Sequence, residues 1–413
     1  MTRFWVGGYG PDMDGDATGI GLLEGDEGRE PTTLAYRGAV TAAASPSWLA
    51  AHPTLDVVYA GLEGSGTVQA FARSGERSLT ALGAPVEVGD GVCHLAVAPH
   101  GGYLVASCYG DGRVVRVGLD ASGLLGEASV ADAATDPYGT NAVPAAQGAP
   151  AVPGPDLNDV LASLAPAASA PARSGLLLFD EELGLTPGAA ENVSPAAAVF
   201  AAALAPASAG EVPDRTSRAH AAAFLTDGRI ATTDIGFDLV RIWRATSAGL
   251  VVDHQIVLPH GVGPRHMVVH PSGHLHVVTE YSCEVFTLAA GANGRWGLVA
   301  ATAVSPAAQV GVDYPSEISR SRDGETLYAG VRGSNTIAAL RVRGAGEVVE
   351  PLALADSGVD WPRHHLVHDG ALLVAGQRSD EIGILDLDER TGAPRGIRHR
   401  TAAPAPSSIL LAR

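Results

Sequence analysis

The 413-residue chain contains no lysine, so arginine carries every permanent positive charge on its side chains. There are 27 basic and 45 acidic residues, which gives a formal net charge of −18 and a sequence pI near 5.1. A nucleic-acid-binding surface needs clustered basic side chains, and an acidic chain without a basic run argues against such a partner. A small anion would be repelled by most of this surface and would bind only where arginines converge.

Cysteine is also scarce, since Cys93, Cys108 and Cys283 are the only three and they lack the spacing of metal ligands. We interpret them as buried free thiols, and we expect neither a metal nor a cofactor. The sequence has no apolar run long enough to cross a membrane, and its first residues do not look like a secretion signal. We therefore expect a cytoplasmic protein without membrane contact.

A repeated pattern of short strands runs through the chain. Its copies begin near Pro46, Cys93, Ala219, Arg265, Ser316 and Arg363. Measured at the turn after the first strand, Pro53 to Pro99 is 46 residues, Thr226 to Pro271 is 45, and Pro271 to Arg322 is 51. A period of this size with three or four short strands per unit is typical of a propeller blade.

An opening unit of three strands precedes the first copy and lacks an inner strand. The C-terminal stretch from Pro404 supplies it, with Ser408-Ile409 aligned on Ser47-Trp48. Pairing this stretch with the N-terminal unit closes the ring and leaves no exposed sheet edge. We predict an all-β fold, a single seven-bladed β-propeller domain over residues 1–413, which is self-sufficient as a monomer.

Residues 131–213 interrupt the repeat between the third and fourth blades. The segment is rich in alanine and proline, as in PAAQGAPAVPGP, and we predict an insertion with two short helices. One helix would begin at Asp156, and the other would be capped by Ser194. The insertion could be a surface excursion, a lid over the active face or a dimer contact, and the sequence does not choose among them.

Polar side chains recur where the first strand of a blade begins and the second ends. A two-strand hairpin brings these positions to the same edge, so Arg265 and Glu280 should lie close together. The residues at such positions are Tyr9, Glu63, His94, Tyr109, His220, Asp234, Arg265, His266, Glu280, Glu317, Arg332, Arg363, His364 and Gln377. A hydrophobic repeat does not require them there, so we place the active site at this end. Some could instead tie neighbouring blades together by hydrogen bonds.

The chain resembles the seven-bladed propeller lactonases, which include propeller-type 6-phosphogluconolactonases and carboxymuconate lactonizing enzymes. The matching segments are PSWLAAHP, AHAAAF, GPRHMVVHPSG, VTE, SEISRSRDG, LYAGVRG and AGQRSDEIGILDLD. The resemblance implies a catalytic set that consists of His220, Arg265, Glu280 and Arg332. The family often has a histidine two residues before the catalytic histidine, where this chain has Arg218.

Opening a sugar lactone requires a base that activates water and a cation that stabilises the developing oxyanion. We predict metal-free hydrolysis of a lactone such as 6-phosphogluconolactone, with Glu280 or His220 as the base and Arg265 facing the oxyanion. Arg332 and Arg363 would hold the anionic tail of the substrate. The other predicted substrate contacts are His94, Tyr109, His266, Glu317 and Gln377.

Two other functions fit the same residues. A lactonizing cycloisomerase would clamp a muconate-type dicarboxylate with its arginines, and His220 would then act as an acid. A non-catalytic propeller would bind a sugar acid without turning it over. The Gly-His and Trp-Asp marks of WD-type interaction propellers are absent from the repeats.

Overall fold

The computed structural model describes residues 2–25, 34–139, 177–178 and 215–412. These residues form seven antiparallel sheets of four blade strands each, arranged around one axis. Within the described ranges the helical structure consists of two single 3-10 turns, Pro11–Met13 and Glu63–Ser65. No helix in this part of the chain is long and apolar enough to span a membrane.

The strands of each blade run from the axis outward in chain order, except in the first blade. Blades one to four contain β1 (Arg3–Gly8), β2 (Gly19–Gly25), β3 (Leu34–Ala42), β4 (Pro46–Ala51), β5 (Val57–Leu62), β6 (Thr67–Gly75), β7 (Ser78–Glu87), β8 (Val92–Val97), β9 (Tyr103–Cys108), β10 (Val114–Leu119), β11 (Leu125–Val130), then, after the two-residue β12 (Leu177–Leu178), β13 (Ala219–Phe224), β14 (Ile230–Asp234), β15 (Leu239–Thr246) and β16 (Gly249–Val257). Blades five to seven contain β17 (Pro264–Val269), β18 (Leu275–Thr279), β19 (Glu284–Ala290), β20 (Trp296–Ala303), β21 (Tyr314–Arg320), β22 (Thr326–Arg332), β23 (Thr336–Arg343), β24 (Val348–Asp356), β25 (Pro362–His368), β26 (Ala371–Gly376), β27 (Glu381–Leu387) and β28 (Pro394–Ala402), and β29 (Pro406–Leu411) returns to blade one.

The ring closes between the two ends of the chain. Strand β29 pairs antiparallel with β1, so that Trp5 faces Leu410 and Val6 faces Ile409. The first blade therefore has the order β29-β1-β2-β3, and the predicted seven-bladed propeller with this closure is confirmed. The predicted alignment of Ser408 with Ser47 is wrong by one residue. Ser407 follows Pro406, the first paired residue of β29, in the same way as Ser47 follows Pro46 in β4.

Hydrophobic side chains pack in seven clusters, one at each interface between neighbouring blades. Side chains alternate between the two faces of a strand, so a blade exposes two apolar faces that it cannot bury alone. Tyr59, Trp243 and Phe286 are completely buried in these interfaces. Burial of a large apolar side chain contributes about 1.5–3 kcal/mol, which is why the ring holds together.

Every innermost strand has a register shift close to its first residue. In β17, for example, Pro264 pairs with Thr279 and His266 with Val278, which leaves Arg265 as the extra residue. Such a bulge turns a side chain away from the regular alternation of the strand. The repeated bulge therefore gives each blade one side chain that can point towards the axis.

The described ends of the insertion lie against the fourth blade. Arg215 Nη1 lies 3.0 Å from Asp136 Oδ1, and its other terminal nitrogen binds Asp238. Strand β12 pairs with β24 of the sixth blade. The two short helices predicted near Asp156 and Ser194 lie outside the described residues.

Candidate active site

A cavity opens on the axis at the end of the propeller where the innermost strands begin. The space available in it to the centre of a water-sized molecule is about 20 Å³. One residue from the bulge of every innermost strand lines it, namely Ser47, Cys93, His220, Arg265, Ser316, Arg363 and Ser407. The lining is completed by Tyr9, Trp48, Glu63, His266 and Glu317. All seven blades therefore contribute to this one cavity.

The ends of the second strands form a polar rim next to the cavity. The rim residues in six blades are Tyr9, Glu63, Tyr109, Glu280, Arg332 and Gln377. In the fourth blade the equivalent residue is Ile235, which follows β14. The Asp234 carboxylate instead accepts hydrogen bonds from the backbone N–H groups of Arg218 at 2.8 Å and Phe237 at 3.0 Å. Asp234 thus holds a turn, which corrects its predicted place in the polar ring.

Glu280 lies between two guanidinium groups, and its predicted proximity to Arg265 is confirmed. Glu280 Oε2 accepts a hydrogen bond from Arg265 Nη1 and lies 3.1 Å from Arg332 Nη2. Burial raises the pKa of the Glu280 carboxyl group, but the charges of Arg265 and Arg332 outweigh it, and the net shift is downward. A carboxylate stabilised in this way is a weak base, and its position suits the orientation of both arginines.

Arg265 is fixed at the cavity wall from several directions. Its Nε donates to the Ser316 carbonyl oxygen at 3.2 Å, and its own carbonyl oxygen accepts from Thr233 Oγ1 at 2.7 Å. Only 6% of the residue is exposed. Burial, followed by the charge of Arg265, lowers the pKa of neighbouring Arg332 to about 9, so Arg332 stays charged at neutral pH. The two guanidinium groups form a rigid, positively charged wall.

His220 presents a nitrogen without a partner. Its Nδ1 is buried and forms no hydrogen bond within the described ranges. The Tyr109 ring packs edge-on against it, with 6.3 Å between the ring centroids. Burial, followed by the charge of Arg265, lowers the pKa of His220 well below the ordinary value of 6.5. A neutral imidazole in a cavity can exchange a proton with a bound molecule or with water.

His266 and Glu317 form a second buried pair at the cavity. His266 Nδ1 lies 3.2 Å from Glu317 Oε1, yet the two atoms are not in hydrogen-bond geometry. Burial raises the pKa of Glu317 well above 4.5, and Arg265 offsets this only in part. Burial also lowers the pKa of His266 well below 6.5, with a smaller effect from His94. Burial thus favours the neutral form of both groups, and a protonated Glu317 has a proton that it can donate.

Histidines pack around Trp48 one residue further along the innermost strands. The Trp48 ring centroid lies 4.3 Å from that of His94 and 5.3 Å from that of His364. Each of these histidines accepts a backbone hydrogen bond at Nδ1, from Ala222 and Ile409 respectively. Burial lowers the pKa of His94 to about 3 and that of His364 to about 4, so both are neutral. Of these rings Trp48 lines the cavity, and the two histidines pack behind it.

Arg363 is a third cation at the cavity. Its guanidinium carbon lies 5.0 Å from the Tyr9 ring centroid, and its Nη1 lies 3.5 Å from Gln377 Oε1. Burial lowers the pKa of Arg363, but Tyr9 and Glu63 outweigh it and the net shift is upward. In the described part of the chain, no three His, Cys, Asp or Glu side chains are arranged to hold a metal ion.

The predicted site residues converge on this cavity to different degrees. Five of them line it, namely His220, Arg265, His266, Glu317 and Arg363. The other five adjoin it through the contacts described above, namely His94, Tyr109, Glu280, Arg332 and Gln377.

Five lining residues are neither among the predicted site residues nor in the predicted polar ring, to which Tyr9 and Glu63 belong. They are Ser47, Trp48, Cys93, Ser316 and Ser407. The signal that would have found them is their position, since each lies one or two residues after the residue that opens its innermost strand, as Arg265 and His266 do. They were passed over because serine, tryptophan and buried cysteine are not ionised, although a bulge directs a side chain whatever its type.

A family model described as "Lactonase, 7-bladed beta-propeller" matches residues 3–150 and 191–411. The chain belongs to this family. The matched ranges contain every predicted site residue, and the resemblance drawn from the sequence is confirmed.

Curated relatives of this lactonase-family protein match only part of it. A 6-phosphogluconolactonase of Yersinia pestis is 28% identical over 161 residues, which is 38% of this chain and 48% of that protein. An uncharacterized protein of Lactococcus lactis subsp. lactis is 26% identical over 182 residues, or 43% of this chain and 53% of that protein. The aligned segments thus span about half the length of these relatives.

Solved structures match the lactonase propeller over its full length. A protein from Lactobacillus plantarum superposes with a TM-score of 0.71 at 18% identity and covers 100% of this chain and 99% of its own. The periplasmic gluconolactonase of Pseudomonas aeruginosa has a TM-score of 0.69 at 17% identity, with 99% and 98% covered. At such low identity these structures share the fold alone with this protein.

Proposed function

We propose that this protein is a lactonase that hydrolyses a sugar-acid lactone, with 6-phosphogluconolactone as the first candidate. The observation that carries the proposal is a neutral His220 that lines the same cavity as the fixed guanidinium group of Arg265 and whose buried Nδ1 has no hydrogen-bond partner within the described ranges. Hydrolysis of a lactone requires both a proton acceptor for water and a cation for the oxyanion. The family match and the partial identity to a 6-phosphogluconolactonase support the same reaction class.

In the proposed reaction His220 accepts a proton from water, and the water oxygen attacks the lactone carbonyl carbon. The electron pair of the carbonyl bond moves to the oxygen that faces Arg265. When the tetrahedral intermediate collapses, the bond between the carbonyl carbon and the ring oxygen breaks. Glu280 takes no proton in this scheme and keeps Arg265 and Arg332 in position, as its ion pairs with both arginines suggest.

The departing ring oxygen needs a proton, and we assign its donation to Glu317. This carboxyl group lines the cavity and is held neutral by burial, which raises its pKa well above 4.5. A pair of carboxyl groups whose environments drive their pKa values apart is a common arrangement for acid–base chemistry, and Glu280 and Glu317 form such a pair. The proton on His220 returns to Glu317 through solvent after the acid product leaves.

A lactonizing cycloisomerase acting on a muconate-type dicarboxylate is the second candidate. The observation in its favour is the number of cations, because Arg265, Arg332 and Arg363 gather around the carboxylate of Glu280. A dicarboxylate substrate would supply the negative charge that is needed to balance the three arginines. Neutral Glu317 would then protonate the carbon next to the newly formed C–O bond.

The test is the hydrolysis of freshly prepared 6-phosphoglucono-δ-lactone, measured against its spontaneous rate. We expect the wild type to accelerate hydrolysis. His220→Gln should reduce kcat by about 10²–10⁴, the usual contribution of one general base. Arg265→Ala should reduce it by about 10²–10³, the usual effect of removing one oxyanion donor. Arg322→Ala is the control, because this exposed residue lies in the turn between β21 and β22, at the far end of the blade.

Acceleration that survives both cavity variants would contradict the assigned site. No acceleration by the wild type would contradict the lactonase proposal, and muconate-type dicarboxylates would be tested next. Saturable binding of a sugar acid with no turnover of either substrate class would show a non-catalytic binding propeller.

A further inference from the structure

In the seventh blade a tryptophan, Trp361, occupies the position that precedes the innermost strand. The residues just before the innermost strand are Ser45, Gly91, Arg218, Gly263, Trp361 and Ala405. In blade six the equivalent residue by strand pairing is Tyr314, the first residue of β21. Five of these residues have a positive φ, including Gly91 at 63°, Gly263 at 66° and Trp361 at 60°. Left-handed backbone favours glycine, and a bulky side chain there is uncommon. The fold therefore has no need of a tryptophan at this position.

The core does not account for Trp361 either. The residue is only half-buried, although its backbone is firmly held. Its N–H donates to Asn335 Oδ1 at 2.9 Å, and its carbonyl oxygen accepts from the Gln377 N–H at 3.2 Å. Both contacts use main-chain atoms and would survive replacement of the side chain. A bulky non-glycine residue in left-handed backbone beside Arg332, which contacts Glu280, is a pointer to function.

The indole ring of Trp361 lies against two arginines. The guanidinium carbon of Arg378 is 3.5 Å from the ring centroid, and that of Arg332 is 5.2 Å from it. Arg378 is exposed and forms no ion pair with any residue in the described ranges. Stacking on an aromatic face holds a guanidinium group in one orientation and leaves its N–H edge free. Arg378 is therefore a positioned cation with no anionic partner in the described part of the chain.

The stacked arginine is connected to the proposed catalytic residues. Arg332 Nε donates to the Tyr314 carbonyl oxygen at 2.9 Å, and its Nη2 lies 3.1 Å from Glu280 Oε2. The Tyr314 ring lies 6.4 Å from that of Trp361. A continuous path thus runs from Glu280 through Arg332 to the indole and Arg378. A substrate with its lactone carbonyl at Arg265 could extend along this path to the rim.

We propose that Trp361 and Arg378 form a subsite for an anionic group, a phosphate or a carboxylate, at the end of the substrate distant from the lactone carbonyl. The proposal rests on the proposed lactonase function and extends the tail-binding role predicted for Arg332. On a surface with a net charge of −18, an unpaired and oriented guanidinium group is a specific place for a negative group to bind. Two N–H groups of the Arg378 guanidinium can bind two oxygens of a phosphate or of a carboxylate at the same time.

The test compares kcat/KM for 6-phosphoglucono-δ-lactone with kcat/KM for glucono-δ-lactone. We expect the wild type to prefer the phosphorylated substrate and Arg378→Gln to lower this preference by about 10- to 100-fold, the range of a charged hydrogen-bonded contact. Trp361→Gly should lower it about 3- to 10-fold, because the arginine loses its stacking surface. Glycine occupies this position in two other blades, so the variant should fold. Arg322→Gln is the matched control and should leave both rates unchanged.

A preference that is the same in Arg378→Gln and the wild type would overturn the subsite while leaving the lactonase proposal intact. Calorimetric binding of 6-phosphogluconate, glucarate and gluconate tests the subsite even if neither lactone is hydrolysed. We expect 6-phosphogluconate or glucarate to bind more tightly than gluconate, and Arg378→Gln to remove the advantage. If only glucarate binds more tightly than gluconate, the subsite is specific for a carboxylate. If neither glucarate nor 6-phosphogluconate binds more tightly than gluconate, the proposal is overturned.

Discussion

At the scale of single residues, the chemistry depends on the protonation of two glutamates that the sequence does not distinguish. Both lie at the same end of the propeller, and Arg265 is close to each. Glu280 contacts two guanidinium groups, whose charges outweigh burial and lower its pKa, whereas Glu317 contacts a histidine and burial raises its pKa. The sequence predicted that His220 or Glu280 would activate water. The structure favours His220 as the base, because its Nδ1 has no hydrogen-bond partner within the described ranges, whereas both arginines contact the Glu280 carboxylate.

Replacement of Glu280 separates orientation from base catalysis. Glu280→Gln keeps an oxygen that accepts from Arg265 but removes the charge, so we expect kcat to fall by about tenfold, less than the 10²–10⁴ expected for His220→Gln. Steady-state hydrolysis of 6-phosphoglucono-δ-lactone measures both, with the spontaneous rate subtracted at each pH. A larger loss in Glu280→Gln than in His220→Gln would identify Glu280 as the base.

At the scale of the element, the bulge and the turn before it set the geometry of the site. Gly263 precedes β17 with φ of 66°, and its carbonyl oxygen accepts from the Glu280 N–H at 2.8 Å. A Cβ atom added at Gly263 would lie 2.5 Å from Cδ2 of Tyr281. This glycine therefore permits both the turn and the close approach of the strand that carries Glu280.

Gly263→Ala should reduce both stability and activity. The left-handed backbone costs about 1–2 kcal/mol for a non-glycine residue, and the clash with Tyr281 adds about 1–3 kcal/mol. Gly294→Ala is the matched control, because Gly294 has φ of 74° and no atom within 4 Å of the added Cβ. Chemical denaturation should show a larger loss of unfolding free energy for Gly263→Ala. Equal losses of unfolding free energy in the two variants would show that Tyr281 moves away from the added Cβ atom without destabilising the protein.

At the scale of the whole molecule, burial of many histidines links stability to pH. Burial lowers the pKa of eight histidines below 6.5: His94, His220, His254, His266, His270, His276, His364 and His365. In the unfolded chain these rings take up protons as the pH falls below about 6.5, while in the folded protein they stay neutral. Acidification therefore favours unfolding. The buried carboxyl groups of Asp238, Glu284 and Glu317, whose pKa values burial raises, act in the opposite direction but are fewer.

We expect the free energy of unfolding to fall between pH 7.5 and pH 5, with each neutral buried histidine contributing about 2 kcal/mol to the loss. Urea denaturation at both pH values measures it. His94→Gln can still accept the Ala222 N–H and should reduce the loss by about that amount. His100→Gln is the control, since His100 is exposed. A pH dependence unchanged in His94→Gln would contradict the neutral state of His94.

The sequence by itself determined the propeller, its seven blades and the end at which the polar residues gather. A repeat of hydrophobic strands can be buried only against neighbouring copies, and a missing inner strand can be supplied only by the other end of the chain. Tertiary structure decided which side chains meet. Bulges direct Ser47, Ser316 and Ser407 to the axis as they do Arg265, and the repeat gives the positions of these residues but does not show the bulges. It also decided which glutamate keeps its proton, because burial and charge at a few ångströms depend on all seven blades together.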